Sequence, residues 1–288
     1  MQIEGLRVFC DLAESRSFTS AARINQITQS AVSQQISSLE RHFDTLLVER
    51  SKKMFRLTKE GQLLYDHSKE IINTFETLTS RMQSLQNVVS GNIRVSTIYS
   101  IGLHTLPPFL KKFPTVNVHV EYSYADKILE DVLGNVVDLG LVAYPGKDNK
   151  LNIIPLMEES LVLICEPGHP LAKRGQIKLA DIAGENLVGF HIDIPTRRGI
   201  DRVLREKKIA VHPVMEFDTI ETVKRAVEIG TGVAIVAEVT IVSEVKLGSL
   251  ASVKFSDGQL ARPVAVVHKK SKVLSPALEN FLSILTGE

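Results

Sequence analysis

Apolar residues near the start of the chain recur at helical spacing. Leu6, Phe9 and Ala13 predict a first helix. Ser17 is a residue type that caps helix starts, and it precedes a second helix carrying Phe18, Ala21 and Ala22, whose paired alanines let a neighbour approach closely. Asn25 and Gln26 break that pattern, and Thr28 caps a third helix starting near Gln29. On it Val32, Ile36, Leu39 and Phe43 make one apolar stripe. Leu47, Val48, Phe55 and Leu57 then predict two short strands with residues 51–53 at their tip.

From Thr58 to Val89 the period changes. Leu64, Ile71, Leu78 and Leu85 repeat every seven residues, and Phe75, Met82 and Val89 each follow four residues after one of them. Alternating four-three spacing is the seam of a coiled coil. About 32 residues at 1.5 Å rise predict a rod of about 48 Å. Gly61 and Ser68 occupy the early seam positions, which predicts a looser start. Pairing of two chains through Leu64, Ile71, Phe75, Leu78, Met82 and Leu85 buries this stripe better than its own domain would.

After Ser90-Gly91, a helix stop, strand-like and helical runs alternate. Strands are predicted over 92–97, 116–122, 136–144, 159–166, 185–190, 211–217, 232–237 and 263–268. Helices are predicted over 105–113, 126–133, 196–208, 219–229 and 276–285. Successive βα units predict a parallel sheet with helices on its faces.

Composition places the chain among ordinary folded proteins: 288 residues, 44% hydrophobic, 23% charged. Charges interrupt every apolar run, so no stretch has the roughly 20 apolar residues of a membrane span. The start, with Glu4 and Arg7, is not a signal peptide. Two distant cysteines, Cys10 and Cys165, make neither a disulfide framework nor a zinc signature, and a reduced cytoplasmic location is expected. The net charge of +1 is uninformative, but four basic residues, Arg50, Lys52, Lys53 and Arg56, cluster at the predicted hairpin.

The outward face of the third helix carries the first chemistry. Thr28, Gln29, Ser30, Ser33 and Gln34 offer amides and hydroxyls where a solvated helix would carry Glu and Lys. Glutamine can donate and accept at an adenine edge in the major groove, and serine can bond a base or a phosphate. A short helix, a turn and a second helix with that face predict a helix-turn-helix. The basic hairpin beside it, with Arg50, Lys52 and Lys53, suits phosphate or minor-groove contact.

At these residues the chain resembles the LysR-type transcriptional regulators. It has Ala21-Ala22, the run Thr28-Gln29-Ser30-Ala31-Val32-Ser33, Leu39-Glu40, Arg50, and Leu57-Thr58 followed by Gly61. It departs where Asn25 replaces a packing leucine, Asp44 a turn glycine and Val48 a phenylalanine. Weaker matches continue at Phe113-Pro114, Val137-Asp138-Leu139 and residues 168–171. The resemblance implies a winged helix-turn-helix domain over residues 1–58 and a linker and dimerisation helix over 59–90. It further implies an α/β effector domain over 91–288 of two lobes, about 91–162 plus 264–288 and 163–263, like a solute-binding protein.

In such α/β folds ligands sit beyond the carboxyl ends of strands. Thr97 and Ser100 follow the 92–97 strand, and the resemblance puts a ligand hydroxyl at Ser100. Thr196 reads as an N-cap followed by Arg197, which suits an anion. Tyr144 and Ser123 complete the expected set. Eight scattered histidines and the lack of any nucleophile, metal or phosphate-loop motif argue against an enzyme. The expected function is a sequence-specific DNA-binding transcription regulator without a cofactor, controlled by a small anionic metabolite. Expected partners are an inverted-repeat site on double-stranded DNA, a second chain or three more, and RNA polymerase, with no membrane. The alternative is a small-molecule-binding α/β protein or enzyme with no DNA role.

Overall fold

The computed structural model describes residues 2–51, 54–85, 91–113, 116–258 and 260–287, with backbone alone at Arg50, Ser51, Met54 and Ser84. The chain divides into two compact units. One comprises Met1–Val89 with Gly134–Val136 and Val273–Pro276, and the other comprises the rest.

The first unit begins with α1 (Ile3–Ser15), α2 (Phe18–Ile24) and α3 (Gln29–Phe43). Both expected caps form: Ser17 Oγ accepts from the Ser20 N–H at 3.2 Å, and Thr28 Oγ1 from that of Ala31 at 3.2 Å. Leu6, Phe9, Leu12, Ala21, Val32, Ile36 and Leu39 make the shared core. Phe43 leaves the expected stripe and is exposed, because the helix ends there and Asp44 turns the chain in the left-handed region at φ 50°. Asn25 earns its place by bonding, its amide donating to Asp11 at 2.8 Å and to the Ala21 carbonyl at 3.0 Å. Strands β1 (Val48–Ser51) and β2 (Met54–Leu57) pair antiparallel as the wing, with Val48 opposite Leu57.

Helix α4 (Lys59–Ser84) is capped by Thr58, whose hydroxyl accepts from Gly61 N–H at 2.9 Å. Its 26 residues span about 39 Å. Its two halves differ. A Cβ on Gly61 would stand 2.0 Å from the Leu47 carbonyl oxygen, Ser68 is fully buried, and Leu64, Tyr65 and Ile72 pack on the head's core. The early part is therefore a tight junction rather than a loose seam, and Leu64 belongs to the head. Further along, Ile71, Phe75, Leu78, Met82 and Leu85 are 46–80% exposed. Val89 and the helix stop at Ser90 lie outside the described residues.

The second unit holds a sheet in the order β4 (Asn117–Tyr122), β3 (Asn92–Thr97), β5 (Leu139–Ala143), β12 (Ala261–Lys269), β6 (Leu151–Cys165), β11 (Ala251–Phe255), β7 (Gln176–Ile177). Strand β10 (Ala234–Ala237) also pairs with β6. The expected parallel pairing holds for β4, β3 and β5, for β7 beside β11, and for the separate pair β8 (Asn186–Phe190) and β9 (His212–Phe217). Strand β12 returns from near the chain's end and inserts antiparallel to both β5 and β6, while β10 and β11 pair antiparallel with β6. These partners are distant in sequence, so no local signal announced them. The expected lobe boundaries near 162/163 and 263/264 fall inside β6 and β12, which run through both halves of the unit. In β6, Leu161, Leu163 and Cys165 join one core while Val162 and Ile164 join another, the alternation of a strand buried on both faces.

Helices α5 (Pro107–Lys111), α6 (Ala125–Leu133), α7 (Pro195–Glu206), α8 (Ile220–Glu228), α9 (Val242–Leu247) and α10 (Pro276–Thr286) cover this framework. The helix expected over 105–113 is shorter, preceded by a wide turn over Ile101–Thr105. Both cysteines are buried free thiols, and burial pushes their pKa values up, to about 12 for Cys10 and about 11 for Cys165. Among the described residues no helix is long and apolar enough to cross a membrane.

Candidate functional site

The outward face of α3 is built by its own periodicity. Burying Val32, Ile36 and Leu39 turns Gln29, Ser30 and Gln34 outward, all exposed, with Ser33 half-buried. Thr28, exposed at the cap, shares a 2.9 Å hydrogen bond with the Ser30 hydroxyl. The amides of Gln29 and Gln34 bond to no other described residue, so their donors and acceptors face solvent. Glu40, buried behind the face, accepts from Leu47 N–H at 3.1 Å and holds the turn into the wing. In the wing, Arg50 pairs opposite Phe55 through its backbone. Its side chain, and Lys52 and Lys53 entirely, lie outside the described residues.

The second unit has a cleft of about 270 Å³ where strand ends meet helix starts. Ile98, Tyr99 and Ser100 follow β3, Ser123 and Tyr124 follow β4, and Phe190 ends β8. The first turns of α6, α7 and α8 also reach it, through Asp126, Thr196 and Ile220. Its base is organised by a buried ion pair. Arg262 Nε donates to Glu159 at 2.6 Å, and its Nη2 lies 2.5 Å from the same oxygen and donates to Ser100 Oγ at 3.0 Å. Thr105 donates to the other Glu159 oxygen at 2.5 Å. Since Ser100 Oγ already accepts from Arg262, its own proton is available to a ligand. Thr196 is 3% exposed, lines the cleft, and its hydroxyl has no hydrogen-bond partner among the described residues. A cleft this small takes molecules below the roughly 300–1,000 Å³ range of drug-sized ligands.

Of the expected ligand residues, the fold brings Ser100, Ser123 and Thr196 together on this cleft and leaves three outside its lining. Thr97 is fully buried, its hydroxyl donating to the Ile98 carbonyl at 3.2 Å. Tyr144 turns away at φ 51°, donates to the Ala261 carbonyl at 3.2 Å, and lays its ring against Gly199. Arg197 is buried and committed: Nε donates to Asp201 at 2.8 Å, Nη1 to Glu216 and to the Phe190 carbonyl, both at 2.8 Å. Its positive charge is therefore spent inside the protein. Nor is Thr196 the N-cap, since Ile194 holds that position and Pro195 opens the helix. The pattern reading missed Arg262 and Glu159. Glu159 stands next to Glu158 and Arg262 heads an apolar strand run, but 103 residues separate them, and only the β6–β12 pairing joins them.

A winged helix-turn-helix head and a second unit with a small-molecule cleft define the class of a DNA-binding regulator with a sensory domain. Family models agree with that class over nearly the whole chain. Residues 3–62 match the bacterial regulatory helix-turn-helix protein, lysR family, and residues 86–288 match the LysR substrate binding domain. The chain belongs to the LysR family of transcriptional regulators; it is a DNA-binding regulator with an effector-binding domain and not an enzyme. It is similar to the HTH-type transcriptional regulator CysL of Bacillus subtilis (strain 168), at 28% identity over 97% of this chain and 93% of that protein. The HTH-type transcriptional activator CmpR of Synechocystis is 29% identical over 96% of this chain and 92% of its own length. Among solved structures, full-length OxyR from Pseudomonas aeruginosa superposes with a TM-score of 0.77 at 21% identity, covering 100% of this chain and 94% of that one. CbnR in complex with its target DNA gives 0.70 at 18% identity, with 99% of each chain covered. At these identities the structural likeness establishes the shared fold.

Proposed function

We propose that the protein acts in the cytoplasm as a homo-oligomer that reads an inverted-repeat DNA site and changes its grip on it when a small carboxylate-bearing metabolite enters the cleft. In this reading Gln29, Ser33 and Gln34 meet base edges, while Thr28, Ser30, Arg50, Lys52 and Lys53 hold the backbone or minor groove. Two chains pair along α4 through Ile71, Phe75, Leu78, Met82 and Leu85, and twofold symmetry then calls for two half-sites. A tetramer is a pair of such dimers, and RNA polymerase is a further partner at the promoter. The complex of CbnR with its target DNA supports the DNA reading by likeness of fold.

The observation that carries the effector reading is Thr196, a residue 3% exposed whose hydroxyl has no partner among the described residues, on a cleft shared with Ser100 and Ser123. A hydroxyl that opens on the cleft is free to bond a ligand oxygen in place of water, an exchange worth about 0.5–1.5 kcal/mol. The α7 N-terminus beside it adds free backbone donors.

The test is a thermal-shift screen of small carboxylates on the full chain, followed by Thr196→Val. A ligand at 100 times its Kd stabilises by about 2.7 kcal/mol. Thr196→Val breaks no side-chain hydrogen bond among the described residues, and it should weaken binding by about 0.5–1.5 kcal/mol, up to roughly tenfold. Parental affinity in both Thr196→Val and Ser100→Ala would move the effector site elsewhere.

A further inference from the structure

The charge around the cleft is unlike that of a site for a simple anion. Three helices begin at it, and each start carries an aspartate on the lining: Asp126 in the first turn of α6, Asp193 two residues ahead of α7, and Asp218 two residues ahead of α8. A helix N-terminus is worth about half a positive charge, so the three ends supply about +1.5 against three carboxylates. The cations on the lining do not redress this. Arg262 is held by Glu159 at 2.6 Å, and His191 Nδ1 lies 3.3 Å from Asp193. Asp126 and Asp218 have neither an ion pair nor a side-chain hydrogen bond among the described residues. Beside them are two exposed tyrosines on the same lining: Tyr124, and Tyr99, which stacks on Tyr122 with ring centroids 5.4 Å apart. Carboxylates with aromatic faces next to them are the chemistry that holds an ammonium group.

The same lining offers donors: the Ser100, Ser123 and Thr196 hydroxyls, with Thr196 only 3% exposed and without a hydrogen-bond partner among the described residues. The lining thus combines hydroxyls on buried or half-buried residues with exposed, unpaired carboxylates at Asp126 and Asp218. A molecule that satisfies both carries one acidic and one basic group.

We infer that the effector is a small amino carboxylate, a zwitterion whose carboxylate meets the hydroxyls of Ser100, Ser123 and Thr196 and whose ammonium meets Asp126 and Asp218. This rests on the cleft reading proposed above and adds the ligand's second charge. The apolar lining, Ile98, Ala143, Phe190, Ile194 and Ile220, takes the carbon body between them.

The experiment is calorimetry on the full chain with the common free L-amino acids and γ-aminobutyrate, each beside its deaminated carboxylate. At least one amino carboxylate is expected to bind about tenfold tighter than its deaminated partner, a margin that shrinks with added salt. The double variant Asp126→Asn/Asp218→Asn should erase that margin while holding or raising affinity for the deaminated acid. Asp218→Lys should reverse the preference, because it converts the attraction into like-charge repulsion. Both positions are exposed, so their variants should melt with the parent, which a melting curve verifies. Equal binding of the two series, no binding by any amino carboxylate, or an undiminished margin in the double variant overturns the zwitterion. If deaminated acids alone bind and Thr196→Val weakens them, the cleft stands and only the second charge is wrong. If binding ignores Thr196→Val and Ser100→Ala, it is the cleft that fails.

Discussion

The outward face of α3 and the wall of the cleft both expose or line space with hydroxyl or amide side chains, and they are made in opposite ways. On α3, Gln29, Ser30, Ser33 and Gln34 sit within six residues of one helix, and burial of Val32 and Ile36, both at 0% exposure, is enough to turn them outward. In the cleft, Ser100, Ser123 and Thr196 come from three segments spread across the second unit, and Ser100 is held by Arg262, itself held by Glu159. A face of the first kind keeps its shape when any one member is lost. A site of the second kind depends on a few buried charges that touch no ligand.

The sharpest way to expose that difference is to remove Glu159. Glu159→Ala leaves Arg262, 2% exposed, without its counter-ion, and breaking one partner of a buried pair costs about 3–5 kcal/mol. Ser33→Ala on α3, half-buried at the surface of the head, should stay within about 0.5 kcal/mol. Chemical denaturation of the two variants measures both. A loss below 1 kcal/mol for Glu159→Ala would place the organisation of the cleft elsewhere than in this pair.

The second contrast lies within α4. Its first half is consumed by the head, through Gly61, Leu64 and Ser68, while Leu78 and its neighbours face outward. Leu78→Lys should therefore leave the head folded and raise the dimer Kd about a hundredfold or more, some 2.7 kcal/mol. Sedimentation at micromolar protein reads the mass, and an unchanged mass would remove the pairing seam.

Specific DNA binding tests the α3 face by itself. Gln34→Ala should cost about 1–3 kcal/mol on the preferred site if the amide meets an adenine edge. Fluorescence anisotropy at one salt concentration decides it, and parental affinity would assign the recognition to other residues.

What was legible in the residues follows the same division. The head's helices, their caps at Ser17, Thr28 and Thr58, and the wing all rest on neighbours within a few residues, and these were readable. So were most individual strands of the second unit. Their pairing was not: β12 lies between β5 and β6 only because a strand more than 90 residues later in the chain returns antiparallel, and nothing in 263–268 states its partner. The cleft inherited that gap. Ser100, Ser123 and Thr196 follow from strand-end and helix-start positions, whereas Arg262 and Glu159 meet only through the β6–β12 ladder. Arg197 misled because a cation at a helix start is a common anion site, and only the fold reveals that Asp201 and Glu216 already hold it. Leu64 misled because the heptad continues across the point where the head stops covering the helix.

The smallest effect expected concerns how the two walls of the cleft are tied. His104, in the Ile101–Thr105 turn, lies 3.1 Å from Glu221 of α8, which also meets Lys224 at 3.0 Å. Burial by itself would raise the Glu221 pKa, but hydrogen bonds and charge from Lys224 and His104 outweigh it and hold the carboxyl below its ordinary 4.5. A depressed carboxyl stabilises the fold fully above its unfolded value, and the contribution is lost as the pH falls through the lower folded one. The acid limb of stability below about pH 4.5 should thus be steeper in the parent than in Glu221→Gln, and the two curves should run parallel below the folded pKa. Because Glu221 is about half exposed, solvent screens the tie, and the difference should be a small fraction of that for Glu159→Ala. Melting temperatures from pH 3 to pH 7 supply the measurement on about a unit grid. Curves that stay parallel across the whole range would mean that Glu221 contributes no pH-dependent tie between the turn and α8.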